Sequence, residues 1–107
     1  MSVPEVTVDE LAAAHAAGEL VVDVREPEEY AQGHVPGAVL MPLATVPARY
    51  PELPRDRAVY LVCAVGARSM QAARYLARLG YDARNVAGGT SDWMAAGRPV
   101  AAGMEPG

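Results

Sequence analysis

The chain is predicted to fold as an α/β domain, a parallel sheet covered by helices on both faces. Three observations predict this. Short apolar runs alternate with stretches of helical pattern along the chain. The runs are continuously apolar, as strands buried on both faces are, rather than alternating apolar and polar. The size and composition, 107 residues with 51% hydrophobic and 21% charged, fit one globular domain with its own core, expected over about 5–100, followed by a tail at 101–107.

The elements follow in order. Thr7 and Glu10 have capping-box spacing, so a helix is expected from there through Ala17, with Gly18 as its stop. Leu20 to Val24 reads as a buried strand. Glu26 to Tyr30 is a helical turn with Pro27 at its first position, ended by Gly33 and followed by a Pro36-Gly37 turn. Ala38 to Met41 is the next strand, and Leu43 to Tyr50 a weak helix broken by Pro47. After a Pro-rich, charged loop, Ala58 to Val62 is a third strand. From Ser69 to Leu79, the residues Ala72, Ala73, Leu76 and Leu79 fall on one helical face, and Gly80 caps that helix. Arg84-Asn85-Val86 is the last strand. Gly88-Gly89 turns the chain into a helix capped by Thr90 or Ser91 and running through Ala96.

Composition excludes several functions. The net charge is -4, which offers nothing to nucleic acid or an anionic membrane. All nine basic residues are arginine, so lysine chemistry is ruled out. One cysteine makes neither an internal disulfide nor a multi-cysteine metal site, and His15 and His34 lack metal-ligand spacing. No apolar stretch reaches the length of a membrane span, and residues 1–5 do not resemble a signal peptide. A cytoplasmic location is expected.

The chemistry concentrates at Cys63-Ala64-Val65-Gly66-Ala67-Arg68, the junction between an apolar strand and a helix. Ligands of parallel sheets bind beyond the carboxyl ends of the strands. A tight loop there turns backbone N–H groups inward as an anion cradle, to which the following helix adds the positive end of its dipole. Gly66 permits a positive φ, and Arg68 adds a charge and a planar fork of donors. A lone cysteine after an apolar strand also suits a small buried hydrophobe. The spacing of Cys63, Gly66 and Arg68 favours a thiol with a lowered pKa, held as a nucleophilic thiolate.

Three stretches carry a family resemblance. Asp23-Val24-Arg25-Glu26-Pro27-Glu28-Glu29-Tyr30 runs into Gly33-His34-Val35-Pro36-Gly37-Ala38; Cys-x-x-Gly-x-Arg-Ser lies at 63–69; Val86-Ala87-Gly88-Gly89 precedes Trp93 and Gly97-Arg98-Pro99-Val100. In this order they resemble the single-domain rhodanese-like (thiosulfate sulfurtransferase) family from about Glu5 to Val100. The resemblance implies a three-layer fold with a five-stranded parallel sheet. It implies that Cys63 takes a sulfane sulfur from a donor such as thiosulfate or a persulfide, becomes a persulfide, and passes the sulfur to a thiophilic acceptor: cyanide in an assay, a thiol or a protein in the cell. Ala64, Val65, Gly66, Ala67 and Arg68 match the loop that surrounds the sulfur, with Arg68 also expected to stabilise the anions. No cofactor or metal is expected. Asp23 and Arg25 match a largely structural motif, His34 is expected to hold the Gly33–Gly37 turn, and Trp93 to pack.

Two alternatives stand beside that reading. A related phosphatase or arsenate-reductase chemistry is associated with a loop one residue longer, and the loop here lacks an aspartic general acid. A persulfide carrier or interaction module serving one protein partner keeps the thiol but not independent turnover. With no second cysteine, an intramolecular resolving step is impossible.

Overall fold

The structure, a computed structural model, describes residues 2–107. Its strands are β1 (Glu5–Val6), β2 (Leu20–Asp23), β3 (Val39–Leu40), β4 (Val59–Val62) and β5 (Ala83–Val86). All pair in parallel, in the order β1-β5-β4-β2-β3. The helices are α1 (Val8–Ala16), α2 (Pro27–Gln32), α3 (Val46–Arg49), α4 (Ala67–Arg78) and α5 (Gly89–Ala95).

The pleat divides the apolar side chains between two cores. Leu61 and Val59 of β4 join Val22, Ala72, Ala73, Leu76 and Val46 on the face covered by α3 and α4. Tyr60 and Val62 join Val21, Leu11, Tyr30, Val86 and Trp93 on the face covered by α1, α2 and α5. All four residues of β4 are buried. This central strand is therefore apolar throughout, which is why its sequence shows no alternation. The doubly covered parallel sheet is the predicted fold class.

Several boundaries differ from those expected. α4 starts at Ala67, two residues before Ser69, because Gly66 takes φ +111° and lets the helix begin immediately after it. Arg68 therefore sits in the first helical turn. α5 starts at Gly89 behind Gly88, and neither Thr90 nor Ser91 caps it with its side chain. The stretch expected as one weak helix is two 3-10 turns (Leu43–Thr45 and Tyr50–Glu52) flanking α3. The expected capping box is present: Thr7 N–H donates to Glu10 Oε1 (2.9 Å) and Glu10 N–H to Thr7 Oγ1 (3.1 Å).

The segment expected as a trailing tail is docked. Ala101 bridges His34 through two backbone hydrogen bonds, Gly103 N–H donates to Ala31 O, and Gly37 N–H donates to Pro106 O. His34 holds this segment rather than the Gly33–Gly37 turn: its ring nitrogens bond Tyr30 O (2.7 Å) and face Glu105 O and Pro106 O (3.0 Å each). The ring is fully buried and stacks on Tyr30. Arg25 and Asp23 form a buried ion pair (2.8 Å), and Arg25 also donates to Gly33 O, tying β2 to the end of α2. Trp93 is buried and its Nε1–H donates to Pro99 O.

Candidate active site

Cys63 lies one residue beyond β4, at the carboxyl end of the sheet, 1% exposed. The direction of the loop peptides is set from outside. Cys63 O accepts Thr90 N–H (2.8 Å) and Ala64 O accepts Ser91 N–H (3.0 Å), both from the first turn of α5. In a trans peptide the following N–H points opposite to the carbonyl. Pinning these two carbonyls outward therefore turns the N–H groups of Ala64 and Val65 inward. Gly89 makes the approach possible, since a Cβ there would lie 2.4 Å from Cys63 O and 2.7 Å from Ala64 O, at φ +55°.

The sulfur collects donors from this loop and from α4. Gly66 N–H donates to Sγ at 3.1 Å, and the Ser69 hydroxyl lies at 3.3 Å. Burial pushes the thiol pKa up, but the Ser69 hydroxyl and the backbone N–H groups of Ser69, Gly66 and Val65 together bring it below its ordinary value. Ser69 Oγ is also 2.5 Å from Asn85 Oδ1. Asn85 Nδ2 donates to Glu5 Oε2 and Gly66 O, which orients Oδ1 towards Ser69. One hydroxyl proton cannot serve both acceptors. With a neutral thiol it rests on Asn85; a thiolate, the stronger acceptor, draws it to sulfur.

The expected loop residues are brought together around Cys63. Val65 is exposed at the rim, Ala67 is exposed at the start of α4, and Ala64 and Gly66 are partly buried. Arg68 is placed differently from the sequence expectation. Its two outer nitrogens bind Glu29 of α2 (2.7 and 2.9 Å), and it makes no hydrogen bond to the sulfur. The bidentate Arg68 contact holds the Glu29 carboxyl down at about 2, so the pair stays ionised through the mildly acidic and neutral range. Glu29 also accepts the N–H of Glu26, which anchors it at the start of α2.

Ser69, Asn85, Glu29 and Gly89 escaped the sequence reading. Ser69 had a visible signal in its place directly after Arg68; the others come from remote segments. Arg25, Glu29, Gln32, Gly33 and Met94 line a cavity of about 290 Å³ beside the Arg68–Glu29 pair. A wider cavity, about 740 Å³, is lined in part by residues that precede β2, β4 and β5, among them Glu19, Ala58 and Asp82. It opens at the amino ends of the strands and takes no residue from 63–69.

Comparison with known proteins agrees with the geometry. Residues 7–96 match the rhodanese-like domain. The chain belongs to the rhodanese-like domain family. A sulfurtransferase of Allochromatium vinosum is 44% identical over 84 residues, covering 78% of each chain. A candidate sulfur carrier protein of Bacillus subtilis is 37% identical over 95 residues, 86% of this chain but 51% of that one. The crystal structure of a rhodanese-related protein from Thermoplasma volcanium superposes with a TM-score of 0.88 at 30% identity, covering 95% of this chain and 99% of that one. Among the described residues, no helix is long and apolar enough to cross a membrane.

Proposed function

We propose that this rhodanese-like chain is a sulfurtransferase that works by double displacement through Cys63. The observation that carries the reading is the cradle. A buried sulfur accepts the Gly66 N–H and lies against the Ser69 hydroxyl, and the backbone N–H groups of Val65 and Ser69 help to lower its pKa. Such a cradle stabilises a thiolate and, one sulfur further out, a persulfide anion. The sulfurtransferase and sulfur carrier relatives support sulfur as the cargo.

In the first half-reaction the Cys63 thiolate attacks the outer sulfur of a donor such as thiosulfate. A new S–S bond forms, the donor's S–S bond breaks, and its electron pair leaves on sulfite. In the second, a thiophilic acceptor attacks the outer sulfur of the Cys63 persulfide and the thiolate is released. Ala64, Val65, Gly66 and Ala67 supply the loop around the transferred sulfur. Arg68 contributes its field and fixes the first turn of α4 against α2.

The test is the intact mass of the protein after incubation with thiosulfate. The parent gains one sulfur, cyanide removes it, and Cys63→Ala gains none while keeping the parent's circular dichroism. Sulfur uptake by Cys63→Ala, or none by the parent with any sulfane donor, overturns the reading. The Bacillus subtilis relative motivates a second reading, a carrier that loads once and discharges to one protein. A carrier loads Cys63 stoichiometrically but gives no sustained turnover with cyanide, whereas an enzyme turns over.

A further inference from the structure

The charges at the mouth of the loop are paired before any donor arrives. Arg68 binds Glu29 with both outer nitrogens, and each side chain is 36% exposed, so the pair lies within reach of an incoming donor. Arg25, which shares the adjacent cavity with Glu29, is 6% exposed and bound to Asp23 and Gly33 O. The loop itself offers only Ala64, Val65, Gly66 and Ala67. Two guanidinium groups thus face two carboxylates, so no side-chain cation is left over for the negative charge of a Cys63 thiolate. A donor bearing two negative charges meets no available cation there.

We propose that Glu29 is a specificity-determining residue: by occupying the fork of Arg68 it biases the site against dianionic sulfur donors and towards donors of lower charge. This rests on the sulfurtransferase reading. Glu29 acts through Arg68 and need not touch the sulfur. The carboxylate repels a dianion and also withholds the guanidinium that would otherwise bind it. Both effects are Coulombic and scale with the charge of the donor.

Two sulfane donors of different charge separate this from a purely structural role. Thiosulfate is a dianion and gives sulfite; benzenethiosulfonate is a monoanion and gives benzenesulfinate. Each leaving group departs with the electron pair of the broken S–S bond, and Cys63 gains the same persulfide. The variant is Glu29→Gln, because glutamine still accepts the Glu26 N–H and keeps the helix start. The readout is the second-order rate of Cys63 loading by intact mass, at low and high salt. At low salt, thiosulfate loading is expected to rise about fivefold and benzenethiosulfonate loading about twofold, since halving the donor charge halves the Coulomb energy. High salt should shrink both gains. An equal change with both donors, no change, or a loss with thiosulfate overturns the role of Glu29 while leaving sulfur transfer standing. Failure of the parent to load from either donor overturns sulfur transfer itself, and the donor selection with it.

Discussion

Replacing Ser69 by alanine should raise the pKa of Cys63 without dismantling the loop. The Gly66 N–H and the influence of the Ser69 and Val65 N–H groups remain in the variant; only the hydroxyl at 3.3 Å is removed. A hydrogen bond to a charged acceptor contributes about 1.5–3 kcal/mol, and one pKa unit corresponds to about 1.4 kcal/mol. The contact is long and the remaining donors can tighten, so the lower end applies, an upward shift of about one unit. The assay is the rate of iodoacetamide alkylation against pH, with Cys63 as the only thiol. Below both midpoints the variant should react about tenfold more slowly, because its thiolate fraction is lower by that factor. Well above both midpoints the rates should converge, with the variant's more basic thiolate marginally faster. Stability carries the same signature. Cys63 has a folded pKa below its unfolded one, so its contribution is complete above the unfolded value and disappears as pH falls through the folded value. The thermal stability gap between parent and variant should therefore widen as pH rises from the parent's folded value to the variant's and hold constant above it, since the unfolded value is common to both. Superimposable alkylation profiles would refute the assignment of the Ser69 hydroxyl to the sulfur.

Two further substitutions probe the frame of the site. Arg68→Lys keeps the charge but leaves Glu29 with one contact instead of two, so its carboxylate is freer to repel a dianion and sulfur transfer from thiosulfate should fall about tenfold, equivalent to about 1.4 kcal/mol on the transition state; a kcat/KM equal to the parent's would show that a single contact neutralises Glu29 as well. Gly89→Ala places a Cβ against two loop carbonyls at a positive φ, which should cost about 3 kcal/mol in urea unfolding through overpacking and backbone strain. An unchanged urea midpoint would show that α5 does not set the loop.

The layered fold was legible because burial on both sides leaves a simple trace. β4 is apolar at every position, and α4 shows Ala72, Ala73 and Leu76 on one face. β1 was not legible as a strand. It has two residues, and its place comes from β5: Asn85 N–H reaches Pro4 O and Ala87 N–H reaches Val6 O. The start of α4 was expected at Ser69, whereas the turn into the helix is made by the positive φ of Gly66 and the helix begins at Ala67. Cys63 stood out by its position after the strand and its spacing to Gly66 and Arg68. The partner of Arg68 could not be read in this way. Glu29 is 39 residues away, in a turn that the sequence marks only by Pro27 at its start.

The same distance effect explains why the cradle cannot be attributed to residues 63–68 alone. A six-residue loop has no means of choosing which way its peptides face. The choice is made by two N–H groups at the start of α5, whose own partners in a helix of that length would otherwise be water. Gly88 and Gly89 looked like a turn in the sequence. Gly89 is the reason α5 can come within hydrogen-bonding distance of Cys63 O and Ala64 O, since a Cβ there would clash with both oxygens. Asn85 completes the frame from β5 by holding Gly66 O and Ser69 together. The thiol is therefore tuned by three segments at once: the loop that carries it, the strand end that orients Ser69, and the helix that fixes the carbonyls. A change in α5 or β5 should be felt at the sulfur without touching the loop sequence.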